Sequence, residues 1–144
     1  MNIEANPSEW PGVSVVVPVC NDQIRIEVLL KALLAQDYPK KKTEILVVDN
    51  NSTDCTVEVV QKYPVVLLRE KEYQSSYAAR NRGIQGAAFD IVAFTDSDCK
   101  PDSGWLRAGV DALLQKEADL AAGSIRFTYS EKSAAESYDS ITHM

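Results

Sequence analysis

The chain has 144 residues, 45% of them hydrophobic and 25% charged, and carries a formal net charge of −6. That length suits one domain burying roughly 68–70% of its unfolded surface, and the composition is that of an ordinary soluble fold. The acidic balance argues against a nucleic-acid partner held through its phosphates, which needs a basic face.

No apolar run reaches the roughly 20 residues of a membrane span, and the polar stretch from Asn2 to Gly12 is unlike a signal peptide. The cysteines Cys20, Cys55 and Cys99 form no Cys-x-x-Cys pair, so free thiols in a reducing, cytoplasmic setting are expected. His143 is the single histidine, which argues against a zinc site or a histidine-based triad.

In chain order, Val13 to Val19 reads as a first strand, β-branched and apolar, stopped by Pro18 and Asn21. Asn21 or Asp22 is placed to cap the next helix, on which Ile26, Leu29, Leu30, Leu33 and Leu34 form one apolar stripe. Asp37-Tyr38-Pro39 ends that helix, and Glu44 to Asp49 is a second strand. The capping-rich loop Asn50 to Asp54 opens a short helix through Val60, and Pro64 to Leu68 is a third strand. Ser75 or Ser76 caps a third helix bearing Tyr77, Arg80, Asn81 and Ile84.

Ile91 to Phe94 reads as a buried fourth strand, because a continuous apolar run suits a strand covered on both faces. It runs out into Asp96-Ser97-Asp98, whose acids, two apart on an extended chain, are expected to project together. Adjacent carboxylates repel, so each needs water, a proton or a cation. A hard divalent ion is the functional answer; a solvated turn is the plain one. Pro101 and Asp102 begin a further helix with Leu106, Val110, Leu113 and Leu114 inward, and Leu120 to Phe127 resembles another strand.

This alternation implies an α/β fold: a mostly parallel sheet with right-handed crossovers and helices on both faces, three layers in all. Ligands of such sheets bind outside the carboxyl ends of the strands, where strand order reverses. The polar ends Pro18 to Asn21, Asp49 to Asn51 and Asp96 to Asp98 should therefore share one edge. Known loops narrow the choice. From Asp96 an EF-hand would need glycine where Pro101 stands and glutamate where Arg107 stands. A haloacid-dehalogenase-type phosphatase would carry its Asp-x-Asp strand first, not late. Neither Gly-x-Gly-x-x-Gly nor a P-loop occurs, and the glycine-rich loop of a sugar-phosphate nucleotidyltransferase is missing after Val19. Without a glycine cradle, a diphosphate needs a metal to meet these acids.

Four stretches together, Val13-Ser-Val-Val-Val-Pro-Val-Cys-Asn21, Val47-Val-Asp-Asn-Asn-Ser-Thr-Asp54, Ser76-Tyr-Ala-Ala-Arg-Asn-Arg-Gly83 and Phe94-Thr-Asp-Ser-Asp-Cys99, resemble the N-terminal blocks of family 2 glycosyltransferases, in order and spacing. The resemblance covers about residues 12–128 and implies the Rossmann-like GT-A fold and transfer of a sugar from a nucleotide-diphosphate sugar, foremost a UDP-sugar, to an acceptor hydroxyl of a glycan, lipid or other molecule. It implies that Pro18, Val19 and Asn21 line the base pocket, that Asp49 accepts a hydrogen bond from the base, and that Arg80 stands near base or diphosphate. Asp96 and Ser97 fall among the nucleotide-binding residues, and Asp98, with Asp96, faces Mn²⁺ or Mg²⁺.

Two departures stand out: Ser75 and the region of Phe89 occupy places where relatives carry glycine. The family's catalytic base and acceptor half would lie beyond Met144, so none of the present residues is assigned as catalytic. Residues 1–11 are then an extension, 12–128 the donor-nucleotide domain, and 129–144 the start of the acceptor half, where Ala134, Tyr138 and Ile141 suggest a helix. Polysaccharide or cell-envelope synthesis is the expected setting, at the inner membrane face in the full-length protein. A non-catalytic nucleotide-binding or association module of the same fold is the alternative.

Overall fold

The structure, a computed structural model, describes residues 10–128. The expected C-terminal helix and most of the N-terminal extension lie outside the described residues. Four parallel strands form one sheet: β1 (Val13–Val19), β2 (Thr43–Asp49), β3 (Val66–Arg69) and β4 (Ile91–Phe94), in the order β3-β2-β1-β4. Four helices connect or follow them: α1 (Arg25–Leu34), α2 (Thr56–Val60), α3 (Ser76–Gly86) and α4 (Trp105–Gln115).

β1 is central and buried along its whole length. Its side chains alternate between two cores, as strand geometry requires. Val13, Val15, Val17 and Val19 pack with Ile26, Leu29, Leu30 and Leu33 of α1, Val60 of α2, and Leu106 and Val110 of α4. Val16 packs on the other face with Leu46, Val48 and Ala79 of α3. Right-handed crossovers account for this division: β1-α1-β2 and β2-α2-β3 step the same way, whereas β3-α3-β4 returns past β1 and places α3 opposite. Each fully buried Leu or Ile of the α1 stripe contributes roughly 1.5–3 kcal/mol, which holds α1 at a fixed height against β1.

β1 runs through Pro18 instead of stopping there. The Val16 carbonyl accepts from Thr95 on the β4 side, so the site two residues on faces that side too, beyond the end of β4 at Phe94. The missing proline N–H therefore costs no ladder bond. β3 begins after Pro64, at Val66. β4 is half-buried, not buried on both faces, and Phe94 is 43% exposed, because β4 is the sheet edge among the described residues.

Helix starts also differ from expectation. α1 has Ile24 at its N-cap with no side-chain cap, since Asn21 and Asp22 are engaged elsewhere. α4 starts at Trp105 behind Gly104; its open Leu106 N–H is met by the Gln36 side chain (3.1 Å), whose amide donates to Asp102 O (2.7 Å). Leu114 is 59% exposed, not inward. The segment Leu120 to Phe127 forms no strand, and Leu120 and Ile125 are exposed. Strand-like composition needs a partner edge to take up its backbone groups, and this segment pairs with none among the described residues. The Phe89 departure is compensated at Gly12: a Cβ there would lie 2.0 Å from the Phe89 ring, so glycine leaves the ring its space.

Candidate active site

The loops after β1, β2 and β4 meet at the carboxyl edge of the sheet. β1 is flanked by β2 and β4 while α1 and α3 leave on opposite faces, so the strand order reverses at this place. The first two loops are sewn together. Asn21, at φ 52°, accepts through Oδ1 from Thr53 N (2.7 Å) and Asp54 N (3.3 Å), and its own N–H donates to Ser52 Oγ (2.9 Å). Asn51 also has a positive φ of 62°. Asparagine tolerates that region better than most residues, so the paired asparagines are the sequence signal for these turns. Asp22 N donates to Thr56 Oγ1 (2.9 Å), and Cys55 N donates to Gln23 Oε1 (2.9 Å).

Asp49 closes β2 with 4% exposure and accepts one hydrogen bond through Oδ1, from Ser52 N (3.2 Å). A buried carboxylate with a single side-chain hydrogen bond among the described residues retains acceptor capacity for a donor arriving from the crevice. Beside it, Asn50 Nδ2 donates to Glu70 O (3.0 Å) and Tyr73 O (2.9 Å), anchoring the approach to α3. Ser75 caps α3 by accepting from Ala78 N (3.1 Å), as expected, which explains a serine where relatives carry glycine. Gly83 lets α3 lie against β1: a Cβ there would sit 2.3 Å from Val16 Cγ1. This close seat carries Arg80 to Asp96, with Nη2 2.5 Å from Oδ1. Tyr77 on the same helix is 77% exposed.

The two acids do not project together from an extended strand. β4 stops at Phe94, and Cys99 N donates to Asp96 O (3.0 Å), bending Asp96-Ser97-Asp98 into a turn. Asp96 thereby faces Arg80 of α3, while Asp98 Oδ2 lies 3.9 Å from Arg25 Nη1 of α1. Both carboxylates remain more than half exposed, at 55% and 54%. Between them Ser97 Oγ donates to Asp22 Oδ2 (2.6 Å), and Arg25 Nε donates to Asp22 Oδ1 (2.8 Å). Asp22, 7% exposed, thus joins the first and last loops. Its hydrogen bond and charge raise the Arg25 guanidinium above its ordinary value, with Asp98 adding a smaller part.

Asp49, Arg80, Asp96, Ser97, Asp98 and Asn21 are therefore gathered on one edge. Pro18 and Val19 reach it only through backbone, since both side chains are buried in the fold. The sequence does not mark Asp22 and Arg25 for this site: its pattern makes Asp22 a helix cap, and nothing local ties it to a serine 75 positions away.

Among the described residues no three His, Cys, Asp or Glu side chains converge on a metal position. Two exposed carboxylates suit a hard ion that keeps waters and takes its other oxygens from phosphates; no thiolate–imidazole set for zinc is present among them. The residues fit Mn²⁺ or Mg²⁺ shared with a diphosphate. A separate concavity, lined by Leu33, Tyr38, Lys40, Thr43, Glu44 and Val65, opens at the amino ends of the strands, away from the acid turn.

This sheet, with an acid-bearing rim at its reversal point, defines a mostly parallel GT-A-type nucleotide-sugar fold. Residues 14–141 match the profile of Glycosyl transferase family 2, and the chain belongs to that family. It is 44% identical over 143 residues to glycosyltransferase AglE of Haloferax volcanii, covering 95% of this chain and 47% of that protein. It superposes on mannosyltransferase PcManGT of Pyrobaculum calidifontis, in complex with GDP-Man and Mn²⁺, with a TM-score of 0.69 and 34% identity over 75% of this chain and 34% of that one. On Staphylococcus aureus TarS 1-349 in complex with UDP-GlcNAc the TM-score is 0.63 at 33% identity, over 73% of this chain and 31% of the other. The chain thus spans about half or less of the length of these relatives. No helix among the described residues is long and apolar enough to cross a membrane.

Proposed function

We propose that residues 12–128 are the donor-binding part of a metal-dependent glycosyltransferase that moves a sugar from a nucleotide-diphosphate sugar to an acceptor hydroxyl. The observation that carries this reading is the exposed acid turn Asp96-Ser97-Asp98 at the strand-order reversal, with buried Asp49 at the end of β2. Asp49 accepts from the base, and the backbone of Pro18 and Val19 with the Asn21 turn forms the base wall. Arg80 meets the diphosphate, Asp96 and Ser97 hold the ribose side, and Asp98, with Asp96, holds Mn²⁺ or Mg²⁺. The ion supplies positive charge against the charge that develops on the departing diphosphate.

A UDP-sugar is the first choice of donor, and the GDP-Man complex of the Pyrobaculum relative makes guanosine the comparison. None of residues 12–128 is assigned as the base that deprotonates the acceptor, and residues 129–144 are assigned to the acceptor half. We place the reaction in the cytoplasm, at the inner membrane face, as part of polysaccharide or cell-envelope synthesis. Free thiols at Cys20, Cys55 and Cys99 accord with a reducing compartment.

Thermal-shift titration with UDP and GDP, with and without Mn²⁺, tests this. A nucleotide at a hundred times its Kd adds about 2.7 kcal/mol, on the order of 8 °C here. The expected result is a metal-dependent shift for one base, abolished in Asp98→Ala. A shift indifferent to metal would instead indicate a non-catalytic nucleotide-sensing module, and no shift with either nucleotide would overturn donor binding.

A further inference from the structure

The rim sets three carboxylates against two guanidiniums. Asp96 is paired with Arg80, and Arg25 stands between Asp22 and Asp98. The pairs are not equivalent. Arg80 hydrogen-bonds Asp96 at 2.5 Å, whereas Arg25 stands 3.9 Å from Asp98, too far for a hydrogen bond. Arg25 is held from behind by its Nε on buried Asp22. Its Nη1 and Nη2 make no hydrogen bond among the described residues, and the side chain is 63% exposed. A guanidinium anchored through Nε, with its outer fork open beside an acid turn, is pre-organised for a bidentate oxyanion.

Charge balance points the same way. When a divalent ion takes Asp96 and Asp98, Arg80 loses its counter-charge, while Arg25 keeps Asp22 on Nε and loses only the acid beside its outer nitrogens. With Asp22 counted, three carboxylates, two guanidiniums and a divalent ion leave the rim net positive, so an oxyanion is favoured there, and a diphosphate sharing the ion can offer oxygens to the outer nitrogens of Arg25. We infer that Arg25 is a further donor-contacting residue, which exchanges Asp98 for a phosphate oxygen of the donor when the divalent ion arrives. Asp22 is its positioning residue, fixing both Arg25 and Ser97 so that the exchange needs no movement of the chain. This inference rests on the donor-site reading above, and it makes ion and diphosphate binding mutually dependent, since each relieves the charge that the other leaves unpaired.

The test uses the 144-residue chain and compares it with Arg25→Gln, Arg25→Lys and a charge control, Lys31→Gln. Lys31 lies on the same helix, paired at 2.9 Å with Glu27 away from the rim. Binding of Mn²⁺ alone is followed by electron paramagnetic resonance, and binding of UDP and GDP at saturating Mn²⁺ by calorimetry. Arg25→Gln should bind Mn²⁺ alone several-fold more tightly, because a competing cation is gone. It should bind the nucleoside diphosphate about 10- to 100-fold more weakly, the range for one charged hydrogen-bonding group. Arg25→Lys should fall between, and Lys31→Gln should match the parent chain. A diphosphate Kd in Arg25→Gln within twofold of the parent, or an equal loss in Lys31→Gln, overturns the inference alone, provided the parent binds and Asp98→Ala does not. If the parent chain binds neither diphosphate with Mn²⁺, the donor-site reading falls and takes this inference with it.

Discussion

Replacing Gly83 by alanine should destabilise the protein, against the usual direction of that exchange within a helix. In an open helix alanine is favoured over glycine by about 1 kcal/mol. At Gly83 the new methyl would lie 2.3 Å from Val16 Cγ1, 3.0 Å from Cγ2 and 3.2 Å from Cβ. Carbon atoms rest at about 3.5–4.0 Å, so the nearest contact falls short by over an ångström. Val16 is fully buried in a strand paired on both sides, with Leu46 and Phe94 as register partners, and has nowhere to retreat. α3 must lift instead, and so short a contact puts the overpacking cost at the upper end of the usual range, about 3 kcal/mol, which leaves a net loss of roughly 2 kcal/mol after the propensity gain. Arg80 lies one turn away on the same helix and would be drawn back from Asp96. Gly109 of α4 is the control: its added Cβ meets nothing within 4 Å, so Gly109→Ala should gain up to about 1 kcal/mol. Urea denaturation of both variants, and of Gly83→Ala combined with Val16→Ala, gives the answer. The double variant should be more stable than the summed single losses by about 1 kcal/mol or more. A Gly83→Ala protein as stable as its parent, or strict additivity in the double variant, would refute the close seat of α3 on β1.

Asp22→Ala should cost about 1–2 kcal/mol in the same urea experiment, because it removes the hydrogen bonds from Arg25 Nε and half-buried Ser97 Oγ; an unchanged midpoint would show that the first and last loops are not joined there. Asn50→Ala removes two hydrogen bonds to the carbonyls of Glu70 and Tyr73, so amide exchange should quicken before α3, with a loss of about 2 kcal/mol; unaltered protection of that stretch would contradict it. Acid should loosen the loop before α2. The Thr56 hydroxyl, then the N–H groups of Thr56 and Gln23, hold the Asp54 carboxyl below its ordinary value against desolvation. A depressed folded value means that the unfolded chain takes the proton first, so this contribution is present above about pH 4 and is lost as pH falls further. Glu27, lowered chiefly by Lys31, acts in the same direction. Asp54→Asn should therefore flatten, without abolishing, the fall in stability below about pH 4, and an unchanged slope would remove Asp54 as a cause.

What the sequence determined is what lies along the chain. β-branched runs marked β1 and β2, the spacing of Ile26, Leu29, Leu30 and Leu33 marked the buried face of α1, and Ser75 marked the start of α3. These are local periodicities and caps, readable because side-chain direction repeats every two residues in a strand and every 3.6 in a helix. The motif blocks likewise contain Asn21, Asp49, Arg80, Asp96, Ser97 and Asp98 of the rim, but neither Asp22 nor Arg25. Tertiary structure decided who faces whom. Strand order brings the loop after β1 beside the loop after β4, so Asp22 holds Ser97 and Arg25 instead of capping α1. It sets Asp96 and Asp98 against different arginines, and it gives α4 its cap from Gln36. Leu120 to Phe127 shows the same limit from the other side: composition can favour an extended chain, but only a neighbouring edge can make it a strand.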